Sequence, residues 1–123
     1  MAAIFLDTYA IFQLINGNET YSQYQKDFHY ITTKFNLIEL YYNLRRAGLK
    51  KEDAKYFYET FSEFEIAVPP QTIIDAAEFK LQNKSKKLSY ADCIGYITAK
   101  NLTVSFVTGD TQFEHMENVI FIR

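Results

Sequence analysis

Two aspartates follow short apolar runs of the sequence. Asp7 comes directly after residues 2–6, and Asp110 comes just after residues 103–107. Short runs without polar alternation, rich in β-branched and aromatic residues, are typical of strands that are buried on both faces. The carboxyl ends of parallel strands open on a common crevice in which ligands bind. An acid that follows such a strand is therefore a candidate for binding or catalysis.

Two further acids belong to predicted helices. Ser89 is a good N-cap residue, and Asp92 lies three residues further on, in the acidic first turn of a helix predicted over residues 89–100. Glu39 lies in an apolar stretch of a helix predicted over residues 36–48, where a carboxylate is costly to bury without a partner. Arg46, two turns further along this helix, is the candidate partner if Glu39 has a purely structural role.

Carboxylates that converge repel one another and raise each other's pKa, so a converging set normally holds a hard divalent cation. Mg²⁺ or Mn²⁺ suits oxygen ligands, and the sequence offers no Cys/His set spaced for zinc. Taken singly, the aspartates also have ordinary interpretations, as a helix N-cap, a first-turn acid and a turn residue. It is their joint order along the chain that favours a site.

The elements that must position these acids alternate between short strands and helices. Besides the two runs above, strands are predicted at residues 31–33, 65–68 and 119–122. Helices are predicted at residues 9–15, 19–29, 36–48, 50–64, 71–83 and 89–100. This order indicates an α/β fold with a mainly parallel sheet of four to five strands and helices on both faces. Right-handed crossovers then allow Asp7 and Asp110 to meet at one edge.

Length and composition set the limits of this prediction. The chain has 123 residues, of which 48% are hydrophobic, and we expect one domain over residues 1–123. Its formal net charge is −2, so nucleic-acid binding would need local basic clusters or bound metal ions. The lone cysteine, Cys93, excludes an internal disulfide framework and is expected to be buried rather than nucleophilic. Because no apolar run approaches the roughly 20 residues of a membrane span, we expect a cytoplasmic protein without membrane contact.

Four segments carry the acids in a characteristic order. They are IFLDT (residues 4–8), NLIE (36–39), YADCI (90–94) and VTGDTQF (107–113). Together, over essentially the whole chain, they resemble the PIN-domain ribonucleases. The most similar branch is VapC, the toxin subunits of type II toxin–antitoxin pairs.

This resemblance implies a catalytic and metal-binding cluster formed by Asp7, Glu39, Asp92 and Asp110. Thr8 and Thr108 match the hydroxyl residues that the family places beside its first and last acids. The implied cofactor is Mg²⁺ or Mn²⁺, which would activate water for in-line attack on an RNA phosphodiester and leave a 5′-phosphate and a 3′-hydroxyl. A cognate antitoxin protein and a homodimer are the expected partners.

Substrate contacts are harder to predict. The basic residues Arg45, Arg46, Lys86 and Lys87 are candidates for RNA phosphate contacts, although cations at helix ends and loops are commonly just solvated. Most of the many Tyr and Phe residues should lie in the core. Tyr9 and Phe12, close to Asp7 in the sequence, are candidates for stacking on single-stranded RNA.

Other functions remain open at this point. One is a housekeeping RNA-processing nuclease without an antitoxin. Another is a non-catalytic RNA- or protein-binding domain, which the presence of all four acids disfavours. A phosphotransfer domain is disfavoured because residues 7–9 lack the second aspartate of haloacid-dehalogenase-type phosphatases, and no acid pair precedes Asp7 as in receivers. His29 and His115 have no recognisable Ser or Cys partner, so the sequence gives no basis for a covalent hydrolase.

Overall fold

A computed structural model of the chain describes residues 2–123, and Met1 lies outside the described residues. One sheet contains the strands β1 (Ala2–Leu6), β2 (Phe28–Ile31), β3 (Ser105–Thr108) and β4 (Val119–Phe121). All neighbouring strands run parallel, in the order β2-β1-β3-β4. The helices are α1 (Thr8–Ile15), α2 (Lys34–Arg46), α3 (Lys51–Ser62), α4 (Pro70–Gln82) and α5 (Tyr90–Leu102). Glu19–Tyr24 and Thr111–Phe113 form short 3₁₀ helices.

The alternation of side chains along the two central strands divides the core into two layers. Leu6 and Val107 belong to one layer, which α1, α2 and α3 cover. Phe5 and Phe106 belong to the other, where their rings stack with centroids 5.6 Å apart beneath α4 and α5. Both faces of the sheet are therefore covered, which explains why these strands read as continuous apolar runs. The predicted α/β class with a parallel sheet is confirmed.

The region between α1 and α2 differs from the prediction. The aromatic spacing of residues 21, 24 and 28 predicted a helix over residues 19–29, but the helical turn ends at Tyr24. Asp27 then adopts a left-handed backbone with φ 65°, and Phe28–Ile31 pairs with β1. Strand pairing with β1 thus overrides local spacing. The strand predicted at residues 31–33 begins earlier, and Thr33 instead caps α2.

The strand predicted at residues 65–68 is wrong. A single isolated parallel bridge joins Thr32 to Glu65, and the chain then passes Pro69 into α4. The run is too short, and too close to a proline that cannot donate to a ladder, to extend the sheet. The observed sheet accordingly has four strands. Among the helices of residues 2–123, none has the length and apolar character needed to cross a bilayer.

The topology places the ends of β1 and β3 side by side. Leu6 is in register with Val107, and the Asp7 N–H donates to the Val107 carbonyl at 3.3 Å. From this pair, β2 lies to one side and β4 to the other, so the connections diverge and leave a crevice beyond the carboxyl ends. Asp7 and Asp110 lie at this edge of the sheet.

Candidate functional site

An open cleft of about 700 Å³ lies at the carboxyl edge of the sheet. All four acids predicted from the sequence line it, namely Asp7, Glu39, Asp92 and Asp110. Further wall residues come from α1, from the end of α2, from the segment after β3 and from the segment after β4. They are Thr8, Tyr9, Phe12, Gln13, Asn43, Arg46, Ala47, Gly109, Thr111 and Arg123. The fold therefore brings together side chains that are widely separated in the sequence.

Asp7 both begins a helix and forms the floor of the cleft. Its side chain is only 2% exposed, and its Oδ1 accepts a hydrogen bond from the Ala10 N–H at 2.7 Å, which caps α1. Its Oδ2 accepts a hydrogen bond from the Thr108 hydroxyl. The ordinary role of Asp7 as an N-cap and its position in the site are thus compatible.

Thr108, the last residue of β3, links two of the acids. Its hydroxyl donates to Asp7 and accepts a hydrogen bond from the Asp110 N–H at 3.0 Å. Asp110 in turn caps the following 3₁₀ helix, because its Oδ1 accepts from the Gln112 N–H at 2.9 Å. One buried hydroxyl therefore couples the acid after β1 to the acid after β3.

Asp92 is held by a capping box at the start of α5. The Ser89 N–H donates to Asp92 Oδ2 at 2.8 Å, and the Asp92 N–H donates to Ser89 Oγ at 3.0 Å. This reciprocal pair fixes the carboxylate in the first turn of the helix. The sequence pattern around Ser89 predicted this geometry.

Glu39 on α2 contacts the Thr8 side chain at the start of α1. The Thr8 hydroxyl lies 3.1 Å from Glu39 Oε1 and 3.2 Å from the Asn36 carbonyl oxygen, so its proton is shared between two acceptors on α2. Glu39 is only half-buried, and its neighbour Ile38 is 61% exposed, so the apolar sequence context exaggerated its burial. Within residues 2–123, Glu39 forms no ion pair with Arg46, because the salt bridges there are Lys55–Glu59 and Lys100–Glu117.

The comparison with protein families matches the description "PIN domain" to residues 4–119. This chain belongs to the PIN-domain family. The match spans nearly the whole chain and includes all four acids, and it confirms the resemblance seen in the sequence. None of the curated proteins matches the sequence of this PIN domain.

Solved structures with the same fold include several toxin–antitoxin proteins. A toxin–antitoxin complex from Klebsiella pneumoniae matches with a TM-score of 0.74 and 16% identity, covering 95% of each chain. VapBC2 from Rickettsia felis, bound to a DNA fragment from its promoter, gives a TM-score of 0.72 and 20% identity over 99% of this chain and 98% of that one. VapBC-5 from Mycobacterium tuberculosis gives 0.66 and 18%, over 100% and 99%. At these identities the likeness establishes the fold.

The acids of the PIN domain influence one another's protonation. Burial raises the pKa of Asp7 to about 8; hydrogen bonds from Thr108 and Ala10 oppose the shift, and the charges of Asp92 and Asp110 add to it. Burial likewise raises the pKa of Asp92 to about 6, with further contributions from the charges of Glu39 and Asp110. The cleft therefore concentrates negative charge that no salt bridge of residues 2–123 neutralises.

These acids provide the donor set that a hard cation requires, because every candidate ligand atom is a carboxylate oxygen. Within residues 2–123, however, no three His, Cys, Asp or Glu side chains are arranged as a finished metal site. The chemistry of the residues fits Mg²⁺ or Mn²⁺. Binding would require the four side chains to approach more closely than they do in this arrangement.

The raised pKa values predict a pH-dependent stability for the metal-free protein. Asp7 stays protonated in the folded state up to about pH 8, whereas its carboxyl ionises near pH 4 when the chain unfolds. The folded state therefore binds more protons between these values, and Asp7 alone should lower the free energy of unfolding by at most about 1.4 kcal/mol per pH unit as pH rises from 6 to 8. Urea unfolding in EDTA across this range measures the slope. If the Asp7→Asn variant shows the same slope, the pH dependence of the free energy of unfolding comes from another group.

Only one of the four basic residues predicted to contact RNA lines the cleft. Arg46 lines the cleft, but the Arg45 guanidinium donates to the Leu49 carbonyl at 3.0 Å and is not part of the wall. Lys86 and Lys87 also lie outside the wall. Lys86 Nζ donates to the Gln112 carbonyl at 3.2 Å, and the Lys87 N–H donates to Gln112 Oε1. Since Gln112 contacts Asp110, these lysines flank the cleft without entering it.

Several residues of the cleft wall were not predicted from the sequence. Gln13, Asn43 and Arg123 carry no local signal, because their proximity to the acids depends on how α1 and α2 pack and on where the segment after β4 lies. The Arg123 guanidinium donates to the Gly109 carbonyl at 3.3 Å, beside Asp110.

Two groups that the sequence left open lie apart from the cleft. Glu114 and His115 are exposed and do not line it. Cys93 is buried, and burial raises its pKa to about 11, so its thiol is not poised as a nucleophile.

Proposed function

We propose that this PIN domain is a metal-dependent endoribonuclease. The observation that carries the proposal is the convergence of Asp7, Glu39, Asp92 and Asp110 on one cleft without a neutralising salt bridge. Converging carboxylates, of which Asp7 is buried, cost stability, and a divalent cation is the usual compensation. The match of the PIN-domain model across these four residues supports the same interpretation.

The side chains have distinct tasks in this proposal. Asp7, Glu39, Asp92 and Asp110 hold Mg²⁺ or Mn²⁺, which supplies activation of water and stabilisation of the charge that develops on the phosphodiester. The hydrogen bonds of Thr108 hold Asp7 and Asp110 in fixed positions relative to each other, and the hydrogen bond from Thr8 holds Glu39 beside α1. Arg46 and Arg123 provide positive charge at the wall of the cleft for RNA phosphates. The products carry a 5′-phosphate and a 3′-hydroxyl.

We further propose that the enzyme is the toxin of a type II toxin–antitoxin pair and that it forms a homodimer in the cytoplasm. The similar structures from Klebsiella pneumoniae and Rickettsia felis are toxin–antitoxin complexes, which supports a protein partner. Exposed apolar side chains offer surfaces for such contacts, among them Ile38 and Tyr42 on α2. A small, basic, DNA-binding reading frame beside the gene would favour the toxin over a housekeeping nuclease. Sedimentation that gives a monomer at every accessible concentration would contradict the dimer.

The test of the ribonuclease is cleavage of labelled single-stranded and hairpin RNAs by the purified protein. We expect cleavage with Mg²⁺ or Mn²⁺, no cleavage in EDTA, and none by an Asp110→Asn variant prepared identically, which controls for contaminating nucleases. Mapping of the product ends should give a 5′-phosphate and a 3′-hydroxyl. Cleavage that persists in EDTA, or in the variant, would contradict the proposed site.

A further inference from the structure

The cleft continues beyond the four acids along α1 and α2. Thr8 and Glu39 mark its acidic end, where the two helices are joined by a hydrogen bond. Phe12 and Gln13 on α1, together with Asn43 and Arg46 on α2, extend its wall away from the acids. On α2, Asn43 and Arg46 lie about one and two helical turns past Glu39, which is about 6 and 10.5 Å along the helix axis. This extension has a composition different from that of the acidic end.

The extension combines an aromatic ring with a side-chain amide that is available to bind a ligand. Phe12 is half-buried, since it packs against the core on one side and lines the cleft on the other. Asn43 is also half-buried, yet its side chain forms no hydrogen bond within residues 2–123. Gln13 is oriented by Asn18, whose Nδ2 donates to Gln13 Oε1 at 2.8 Å. This bond leaves the Gln13 NH₂ group available for a ligand.

A positively charged side chain, Arg46, lies at the end of the extension that is far from the acids. Arg46 is exposed, and its guanidinium lies 5.5 Å from the centroid of the Tyr42 ring, which restricts it through a cation–π contact. It belongs to neither salt bridge of residues 2–123. Its charge is therefore available to an anion that lies in the cleft.

We propose that this extension is a nucleobase subsite, in which a base next to the scissile phosphate stacks on Phe12, is read by the Asn43 amide, and is followed by a phosphate on Arg46. The proposal rests on the ribonuclease function proposed above. A bare phosphate or a metal ion can bind the amide but has no use for the aromatic ring. A nucleotide of single-stranded RNA uses the ring, the amide and the cation together, because each base has a π-face and a hydrogen-bonding edge.

The amide also has a hydrogen-bonding pattern that a base edge can match. The Asn43 side chain presents a donor and an acceptor side by side, and each RNA base offers an acceptor and a donor on its edge. The positions of these two groups differ between the bases, so we expect the enzyme to prefer one base at one position beside the cut. An aspartate at residue 43 can only accept hydrogen bonds, so Asn43→Asp should lose this preference even though its shape is nearly unchanged.

The experiment measures two quantities on short single-stranded RNAs in which each base flanking the cut is varied. The first is the cleavage kinetics of the active enzyme, as kcat and kcat/KM, and the second is the affinity of an inactive Asp92→Asn protein. Phe12→Leu keeps an apolar side chain against the core and removes the aromatic ring. It should weaken RNA affinity about tenfold and leave kcat at saturating RNA nearly unchanged. Asn43→Ala and Asn43→Asp should reduce the preference at one position by about tenfold.

Tyr56→Leu is the matched control, because it removes an exposed aromatic ring from α3 that does not line the cleft. It should change neither quantity. An active enzyme whose affinity and base preference are unaffected by Phe12→Leu and Asn43→Ala would overturn the subsite while leaving the ribonuclease intact. A loss of kcat without a change in affinity or preference would also overturn it. If the wild type cleaves no RNA, the ribonuclease proposal fails, and the binding measurements still decide whether Phe12 and Asn43 contact a base.

Discussion

Replacing Asp7 with asparagine should lower the rate of RNA cleavage by at least about 100-fold and, in EDTA at pH 8, raise the melting temperature. Asparagine is as good an N-cap as aspartate, so the hydrogen bond from the Ala10 N–H to the side-chain oxygen can be kept. What is lost is the negative charge of a carboxylate that is only 2% exposed, together with the hydrogen bond that its Oδ2 accepts from the Thr108 hydroxyl. Because burial raises the pKa of Asp7 to about 8, that charge opposes folding when no cation is present.

These opposite effects on activity and stability separate a functional residue from a structural one. A residue that acts only as a cap would lose stability when changed and would leave the chemistry intact. Thermal unfolding with and without Mg²⁺ provides a second measurement, since a ligand that binds only the folded state raises the melting temperature. Mg²⁺ should stabilise the wild type and have much less effect on Asp7→Asn. Asp75→Asn, at an exposed position on α4, should behave as the wild type in both assays. Wild-type cleavage by Asp7→Asn would remove this residue from the site.

The positions of three of the four acids were predictable because each has a local reason, whereas the apolar sequence context of Glu39 exaggerated its burial. Asp7 and Asp110 follow strands that are apolar enough to be recognised, and Ser89 predicts the capping box that orients Asp92. These signals extend over only a few residues and do not depend on the packing of distant elements. The parallel topology then needs only the handedness of the crossovers to place the strand ends together.

The errors in the sheet arise where local preference and pairing compete. Residues 28–31 look like the continuation of a helical face, but β1 has a free edge that this segment satisfies. Residues 65–68 look like a strand, but Thr32 offers them only one bridge before Pro69. The availability of a strand to pair with therefore determined the secondary structure of both segments, and a single sequence does not show which strand is available.

The other walls of the cleft have weak local signals or none. Asn43 reads as an ordinary polar residue of α2, and Phe12 was a candidate for stacking on RNA only because it lies close to Asp7 in the sequence. Their importance follows from the packing of α1 beside α2, which the Thr8 hydroxyl joins at Glu39. The positions of these wall residues thus depend on tertiary packing, whereas the acids lie in short sequence motifs.

Gly109→Ala should destabilise the protein by about 3 kcal/mol and reduce cleavage by at least about tenfold. A Cβ atom at residue 109 would lie 2.1 Å from Tyr9 Cε1 and 2.6 Å from the Ile122 carbonyl oxygen. The Ile122 backbone cannot easily move, because its N–H donates to the Thr108 carbonyl at 2.9 Å and its carbonyl accepts from the Tyr21 hydroxyl at 2.6 Å. The strain must therefore move residue 109, which lies between Thr108 and Asp110.

The expected loss of activity follows from this position, since a shift of residues 108–110 separates Asp110 from Asp7. Gly17→Ala is the control: a Cβ there meets nothing within 4 Å, but the backbone is left-handed with φ +71°. It should cost about 1 kcal/mol and leave kcat/KM unchanged. Adding Tyr9→Ala to Gly109→Ala removes the contact with the ring but not the contact with the Ile122 carbonyl, so it should not restore activity. Full activity in Gly109→Ala would show that the loop after β3 tolerates displacement, and that the coupling of Asp7 to Asp110 through Thr108 does not control catalysis.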